Sequence, residues 1–290
     1  MSSTLETMLS PMASDPGEPK KRLRARRKRW TFAQRWLTFL GFVLVWQLVA
    51  ALAGSAFFPT PTTIIQTGFE QWLTGPASHL FLTNAVFTDV LPSIGKVLGG
   101  WLVATLIGVV IGILVGLSVP AAEYTSTVFG FIRAMPPVML IPVFLVLFKL
   151  GVQMQLATIV WGAVWPVLLN AVDGARSVDP TKMDTARVFR IGWLRRVVTV
   201  VLPAAMPRIF GGMRIALSIS LNLMVIAEMT GGVSGLGFQV LFQQSSFDYP
   251  KMWAGIAVIG ILGYVLNRLL ELVEGKVLAW HRESMRLVEV

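Results

Sequence analysis

Long uncharged stretches alternate along this chain with short, charge-rich connectors, and the lengths of the stretches predict its architecture. Runs without charge extend from Trp36 to Phe58, Val97 to Ala122 and Leu150 to Val172, each longer than the about 20 residues a helix needs to cross a bilayer core. Another apolar stretch, Val128 to Leu150, holds Arg133 and Lys149, whose long stems let both charges reach toward opposite interfaces. Pro136, Pro137 and Pro142 fall inside it, and since each lacks an N–H and crowds the preceding turn, a broken helix is expected there. Two more spans follow: Pro207 to Met229, with Arg208 and Arg214 at one end and Glu228 at the other, and Met252 to Leu272, ending on Arg268 and Glu271. The fold class this predicts is all-α integral membrane with six crossings.

Composition agrees, with 54% hydrophobic and 14% charged residues and a mean hydropathy of +0.68. The net charge of +10 must sit outside the hydrocarbon, where a charge costs roughly 2.5–3.5 kcal/mol at the centre, so the charges report topology. Eight of the ten residues from Lys20 to Arg29 are basic, which places the N-terminus inside. The connector Gly54 to Leu91 has no Lys or Arg, whereas the one after Val172 carries Arg176, Lys182, Arg187, Arg190, Arg195 and Arg196. Both termini are therefore expected inside, in a multi-pass membrane protein. The domains expected are a basic extension without regular structure over 1–35, a membrane domain over 36–275 with an inside connector at about 173–206, and an inside tail over 276–290. The basic run is read as a topology anchor beside membrane lipid, in preference to a nucleic-acid-binding arm. Ala51-Leu52-Ala53 resembles a cleavage site, but the apolar run before it is too long for a signal peptide and is kept as a span.

Composition also excludes most chemistry. There is no Cys, and the two His are His79 and His281, so thiolate catalysis, disulfides and a Cys/His metal centre are ruled out, and no metal site is expected. No paired carboxylates recur in the spans, and neither Gly95-Lys96 nor Gly275-Lys276 has the upstream glycine of a phosphate-cradling loop. No catalytic residue and no cofactor are assigned to this chain.

Small residues recur every fourth position at Gly100, Ala104, Gly108, Gly112 and Gly116, lining one helix face where a second helix can approach closely. Packing within the chain is favoured over a dimer interface. In the inside connector Asp179 is placed to cap a helix opening at Pro180, with Met183, Ala186 and Phe189 among basic residues, a face suited to another protein's groove or to anionic headgroups.

That connector resembles the cytoplasmic loop of the permease subunits of bacterial, binding-protein-dependent ABC importers, whose pattern is E-A-A-x3-G-x9-I-x-L-P. The aligned residues are Asp184, Thr185, Ala186, Arg190, Val200, Leu202 and Pro203. Asp stands for Glu, Thr for the first Ala, Val for Ile and Arg190 for the Gly, with Gly192 expected to supply the turn instead. F-P-T-P at Phe58 to Pro61, M-P-P-V-M-L-I-P-V-F at Met135 to Phe144, R-S-V-D-P at Arg176 to Pro180, A-E-M at Ala227 to Met229 and S-G-L-G-F at Ser234 to Phe238 are similar to the nitrate, sulfonate, taurine and bicarbonate branch. The resemblance implies a six-helix type I permease of the bacterial plasma (inner) membrane, pairing with a second copy or sister permease, two ATPase subunits using ATP and Mg, and an external solute-binding protein. It implies that Asp184, Thr185, Ala186, Arg187, Arg190, Gly192, Leu202 and Pro203 couple to the ATPase, with Ala186 at the point of closest approach.

Intramembrane polar groups are expensive and so mark a candidate pathway. Arg133, Asn222, Trp161, Trp165 and Glu228 are named for it, Arg133 as the one basic residue well inside a span. Glu228 is read either as a gate or polar contact near the outer mouth or as a helix-end carboxylate reaching water, while Asn170 and Asp173 are read as bonding locally. The solute expected is a small anion of the nitrate, sulfonate or taurine kind. Alternatives are a thiamine-type pyrimidine, which a cluster of stacking rings would favour, and an ATP-independent secondary transporter or channel, which usually holds mid-span carboxylates or an internal repeat, neither of which the sequence shows.

Overall fold

The computed structural model describes residues 18–280, and side chains from residue 36 onward together with Trp30 and Gln34. Every regular element among these residues is helical. Five helices are long and apolar enough to cross a membrane, and one strongly bent pair brings the number to six.

Helix α1 (Glu18–Ala53) belongs to a compact unit that ends at Thr62. Its start corrects part of the expected unstructured extension: Lys, Arg, Ala and Glu are good helix formers, and they prolong the apolar span backwards without a break. The first seventeen residues and the last ten lie outside the described residues. Within this unit the N–H and hydroxyl of Thr62, at the start of α2 (Pro61–Trp72), donate to Gln47 Oε1, each at 3.3 Å.

The second unit is built on three long helices, α3 (Leu91–Gly116), α6 (Val152–Arg176) and α9 (Leu202–Gly231). Their shared core contains Val97 and Ala104 from α3, Ile159, Ala163 and Val167 from α6, and Phe210, Ala216 and Met224 from α9. Trp101 lies within this core and satisfies its indole by donating to the Met213 carbonyl at 2.9 Å. The small-residue stripe of α3 faces α6: a Cβ on Gly100 would stand 2.5 Å from Ile159, one on Gly108 2.9 Å from Val167, and one on Gly116 2.7 Å from the Val172 carbonyl. Packing within the chain is thus what the stripe serves. The other face of α3 exposes Leu102, Val103, Leu106, Val110 and Leu114, as a lipid-facing surface should.

The broken span appears as α4 (Val119–Arg133), a short 3-10 turn over Pro137–Leu140, and α5 (Ile141–Phe148), bent by 76°. Pro136 is extended, with φ −60° and ψ 127°, as a residue preceding a proline prefers. The Pro137 ring approaches Gly162 of α6, where any side chain would be in its way.

Several boundaries differ from the sequence expectation, and one helix is additional. A five-residue π-helical turn, Val86–Val90, leads into α3, so the second crossing starts before Val97. The broken span opens at Val119, nine residues before the expected Val128. The fifth crossing runs back from α9 through a π-turn (Val197–Val201) to α8 (Trp193–Arg196), because a helix can carry Arg195 and Arg196 beyond the hydrocarbon without ending. A further helix, α10 (Leu236–Ser245), too short to cross, precedes the last span α11 (Tyr249–Val277).

Candidate functional site

Helix α7 (Pro180–Val188) stands in the connector between α6 and α8. Asp179 Oδ1 accepts from the Thr181 N–H at 2.8 Å, and this bond holds the Asp179 carboxyl below its ordinary value. A lowered value means that the stabilisation is present above the ordinary carboxylate range and is lost as pH falls through the lowered one.

The other end of α7 closes in a way the aligned motif explains. Arg190 N–H donates to the Arg187 carbonyl and Ile191 N–H to the Ala186 carbonyl, both at 2.9 Å, the paired bonds of a Schellman motif. That motif needs a left-handed residue, and Arg190 supplies it with φ +51°. The expected rescue by Gly192 is therefore corrected: Gly192 has φ −57° and opens α8, while the arginine itself occupies the position that the family pattern gives to glycine. A left-handed L-residue costs about 1–2 kcal/mol, so Arg190→Gly should raise thermal stability of the purified protein by about 1 kcal/mol, and Arg190→Val should lower it.

Ala186 is also corrected. Its side chain is 2% exposed and faces its own chain, lining a cavity of about 400 Å³ with Thr185, Ile191, Pro203 and Trp280. Leu202 and Pro203 open α9. What α7 presents outward is Val188 and Phe189, 79% and 75% exposed, beside an Asp184–Arg187 ion pair at 2.9 Å.

At the opposite end of α9 lies a buried polar cluster that sequence reading missed. Asp89, Ser93 and Lys96 recur at helical spacing on one face, and all three are buried, as is Glu228, which is 0% exposed. Glu228 Oε1 accepts from Lys96 Nζ at 2.6 Å and from the Ser93 hydroxyl at 2.7 Å, and its Oε2 accepts from the Gly237 N–H at 2.8 Å. Ser93 Oγ accepts from the Leu236 N–H, and Asp89 Oδ1 from the Gly235 N–H, each at 2.9 Å. The S-G-L-G sequence has its reason here: Gly235 adopts φ +115°, and a Cβ on it would lie 2.4 Å from the Glu228 carboxyl. Glu228 is accordingly a buried polar contact and not a carboxylate in water, and Arg133 is not the one cation inside a span. The signal available was the spacing of Asp89, Ser93 and Lys96, but a lysine at the edge of an apolar run reads as an interface.

Three of the residues named for the pathway do come together. Arg133, Trp165 and Asn222 line a cavity of about 470 Å³ at the bend of the broken span, with walls from Pro137, Leu169 and Leu223. Trp161 stands edge-on to Trp165 at 5.9 Å, and Phe144 and Phe129 flank the pair. Asn170, as expected, bonds locally, donating to the Pro166 carbonyl at 2.8 Å. Among the described residues the Asp173 carboxylate makes no hydrogen bond or ion pair; it is the Asp173 backbone carbonyl that accepts from Arg208, at 3.1 Å. Among the described residues no three carboxylate or imidazole side chains gather as a metal site would require.

The chain as a whole is similar to known transport proteins. The chain is 30% identical over 256 residues to the putative aliphatic sulfonates transport permease of Bacillus subtilis, covering 88% of this chain and 90% of that one. It is 26% identical to the taurine transport permease of Escherichia coli, covering 91% and 97%, and 26% identical to the nitrate import permease of Leptolyngbya laminosa, covering 83% and 86%. A solved inward-facing methionine ABC transporter superposes with a TM-score of 0.57 at 18% identity, covering 65% of this chain and 94% of that one, which shows the type I permease fold. Residues 104–279 match the family described as binding-protein-dependent transport system inner membrane component, and on that match together with the sulfonate relative this chain belongs to that family and is a multi-pass, non-catalytic transport subunit of the inner membrane.

Proposed function

We propose that this chain is the pathway-forming subunit of an ATP-driven importer for a small anion, with α7 as the element through which separate ATPase subunits act. ATP and Mg are used by those partners. Two permease copies, or this chain and a sister, flank the pathway, and an external binding protein delivers the solute at the end where α10 lies. Both termini and α7 face inside, in keeping with the basic connector.

The observation that carries this reading is α7 itself: a short helix held by bonds at both ends, turning Val188 and Phe189 outward between basic residues. An exposed pair of large apolar side chains on a rigid helix suits a protein groove. Closure of the ATPases on ATP then moves α7 as a rigid body and, through the continuous helix from α8 into α9, the bundle.

The aromatic cluster favours the second reading, a flat pyrimidine-like solute. Its rings, however, meet each other at steep angles, 82° for Trp161 with Trp165 and 64° for Phe144 with Trp161, so they pack among themselves and leave no parallel pair to clamp a ring.

The test of the α7 assignment is Phe189→Asp in the complete complex. Both a charge and the loss of an apolar anchor in a groove weaken docking, so the ATPase that co-purifies should fall at least about tenfold, while insertion of the chain stays unchanged. Full retention of the ATPase with Phe189→Asp would remove α7 from the interface, and loss of binding to anionic liposomes in its place would assign α7 to the membrane surface.

A further inference from the structure

The short helix α10 is fastened at its first turn to two other helices. The first N–H groups of a helix have no partner within it, and three of them here go to side chains from elsewhere. Gly235 N–H donates to Asp89 in the π-turn before α3, Leu236 N–H to Ser93 on α3, and Gly237 N–H to Glu228 on α9. Gln239, one turn further along α10, donates to the second oxygen of Asp89 at 3.2 Å, and Lys96 of α3 completes the set by pairing with Glu228. All four acceptor and cation side chains are buried, so lifting α10 away would strand three N–H groups beside a buried ion pair. Backbone contact adds to the fastening, because a Cβ on Gly237 would collide with the Val225 carbonyl of α9. Toward α11 the Val240 side chain packs against Gly255, an apolar contact of the kind that lets packed helices slide. The fastening also reaches the opposite end of the bundle. From Glu228 the helix runs unbroken to Leu202 and on through the π-turn into α8. There Pro203 lines the same cavity as Ala186 of α7, so one continuous helix meets α10 at one end and α7 at the other.

We infer that Asp89, Ser93, Lys96 and Glu228 form a clamp that makes α10 and the adjoining ends of α3 and α9 move as one body through the transport cycle. Arrival of the solute-loaded binding protein at the outer connectors is thereby passed along α9 to α7 and so to the ATPases. This rests on the importer reading and deepens it by naming the residues that join the outer event to the inner one. They are positioning residues, acting through the helices they tie together. A coupling free energy between distant sites needs elements that keep their geometry while they move. The clamp supplies such a joint because its bonds are directional and its charges have no solvent to turn to, whereas the apolar side of α10 leaves the motion somewhere to be taken up.

The experiment measures ATPase activity and solute uptake of the complete complex in liposomes, with and without its external binding protein. That protein is loaded with ethanesulfonate or nitrate, whichever it retains through a desalting column. Asp89→Ala removes the acceptors of Gly235 and Gln239, and it should cut the stimulation by binding protein about fivefold or more, with basal ATPase activity and unfolding temperature close to those of the unaltered complex. Asp89→Asn keeps an oxygen for the Gly235 N–H and offers an N–H2 group to a turned Gln239 amide, so it should keep most of the stimulation. Should Asp89→Ala fail to assemble, Gln239→Ala decides, since it removes one bond of the clamp and no charge and should cut stimulation about two- to threefold. The chain has no Cys, so Asp89→Cys combined with Gln239→Cys can be tied by a short bis-thiosulfonate reagent. The untied pair should lose stimulation, and the tied pair should regain both stimulation and uptake. Unchanged stimulation in Asp89→Ala and Gln239→Ala would overturn the clamp. So would basal and stimulated activity falling together with the unfolding temperature, which is what a purely structural role predicts, or uptake abolished by the tie. An unaltered complex that ignores the binding protein and takes up no solute would sink the importer reading, and the clamp's role with it.

Discussion

Glu228→Gln is expected to lower the stability of the folded chain by about 3–5 kcal/mol, because it leaves Lys96 charged and buried without a counter-ion. The pair is 2.6 Å apart, with side chains 7% and 0% exposed, so no solvent rearrangement can compensate. A glutamine could still accept from the Ser93 hydroxyl or the Gly237 N–H, so the loss isolates the charge rather than the hydrogen bonds. The companion variant makes the argument sharper. Lys96→Met combined with Glu228→Gln removes both charges and retains an acceptor for Ser93, and it should recover most of what the single variant loses, because a pair of buried charges replaced together is often nearly neutral. Thermal unfolding of the purified protein in detergent reads both. A Glu228→Gln protein with unchanged unfolding temperature would mean that the cluster is wet, and equal losses in the single and double variants would mean that the hydrogen bonds, not the ion pair, hold α3, α9 and α10 together.

The same cluster shows which parts of this molecule a sequence discloses. Spans are legible because the bilayer demands a length and a composition, so the runs beginning at Trp36, Val97 and Leu150 announce themselves, as does the broken helix at Met135-Pro136-Pro137. A helix cap is equally local: Asp179 followed by Pro180 predicts the start of α7, and the bond to Thr181 is there. The pairing of Lys96 with Glu228 joins residues far apart in the chain, and each one alone looks like the edge of an apolar run meeting water. Charged residues near a span end thus carry two readings that only the fold separates. Arg195 and Arg196 show the converse: their charge reads as loop, although the helix continues through them. Of the residues named for the pathway, helical spacing sets Trp161 and Trp165 on one face, but it could not say that Arg133 and Asn222 share a cavity with Trp165 and that Glu228 does not. Arg190 could be aligned with a glycine from sequence, yet only its positive φ shows that it keeps the glycine's conformation.

Gly112 and Gly95 lie on the same helix, and the same substitution should act on them in opposite directions. A Cβ on Gly112 would fall 2.6 Å from both the Ala171 Cβ and the Leu168 carbonyl oxygen, whereas one on Gly95 meets nothing within 4 Å. The Leu168 oxygen is backbone, held in α6, and cannot swing aside as a side chain can, so Gly112→Ala must push α3 and α6 apart along their shared length. The expected loss is about 1–3 kcal/mol, the usual penalty of overpacking a close-packed interface. Gly95→Ala adds a methyl group in open space and lowers the conformational freedom of the unfolded chain, so it should stabilise α3 by up to about 1 kcal/mol. Both are read by thermal unfolding of the protein in detergent, alongside its oligomeric state by size. Since the stripe packs α3 on α6 inside one chain, Gly112→Ala should lower the unfolding temperature at every protein concentration. A loss confined to assembly, with the unfolding of the single chain unchanged, would place the stripe at the contact between two permease copies instead.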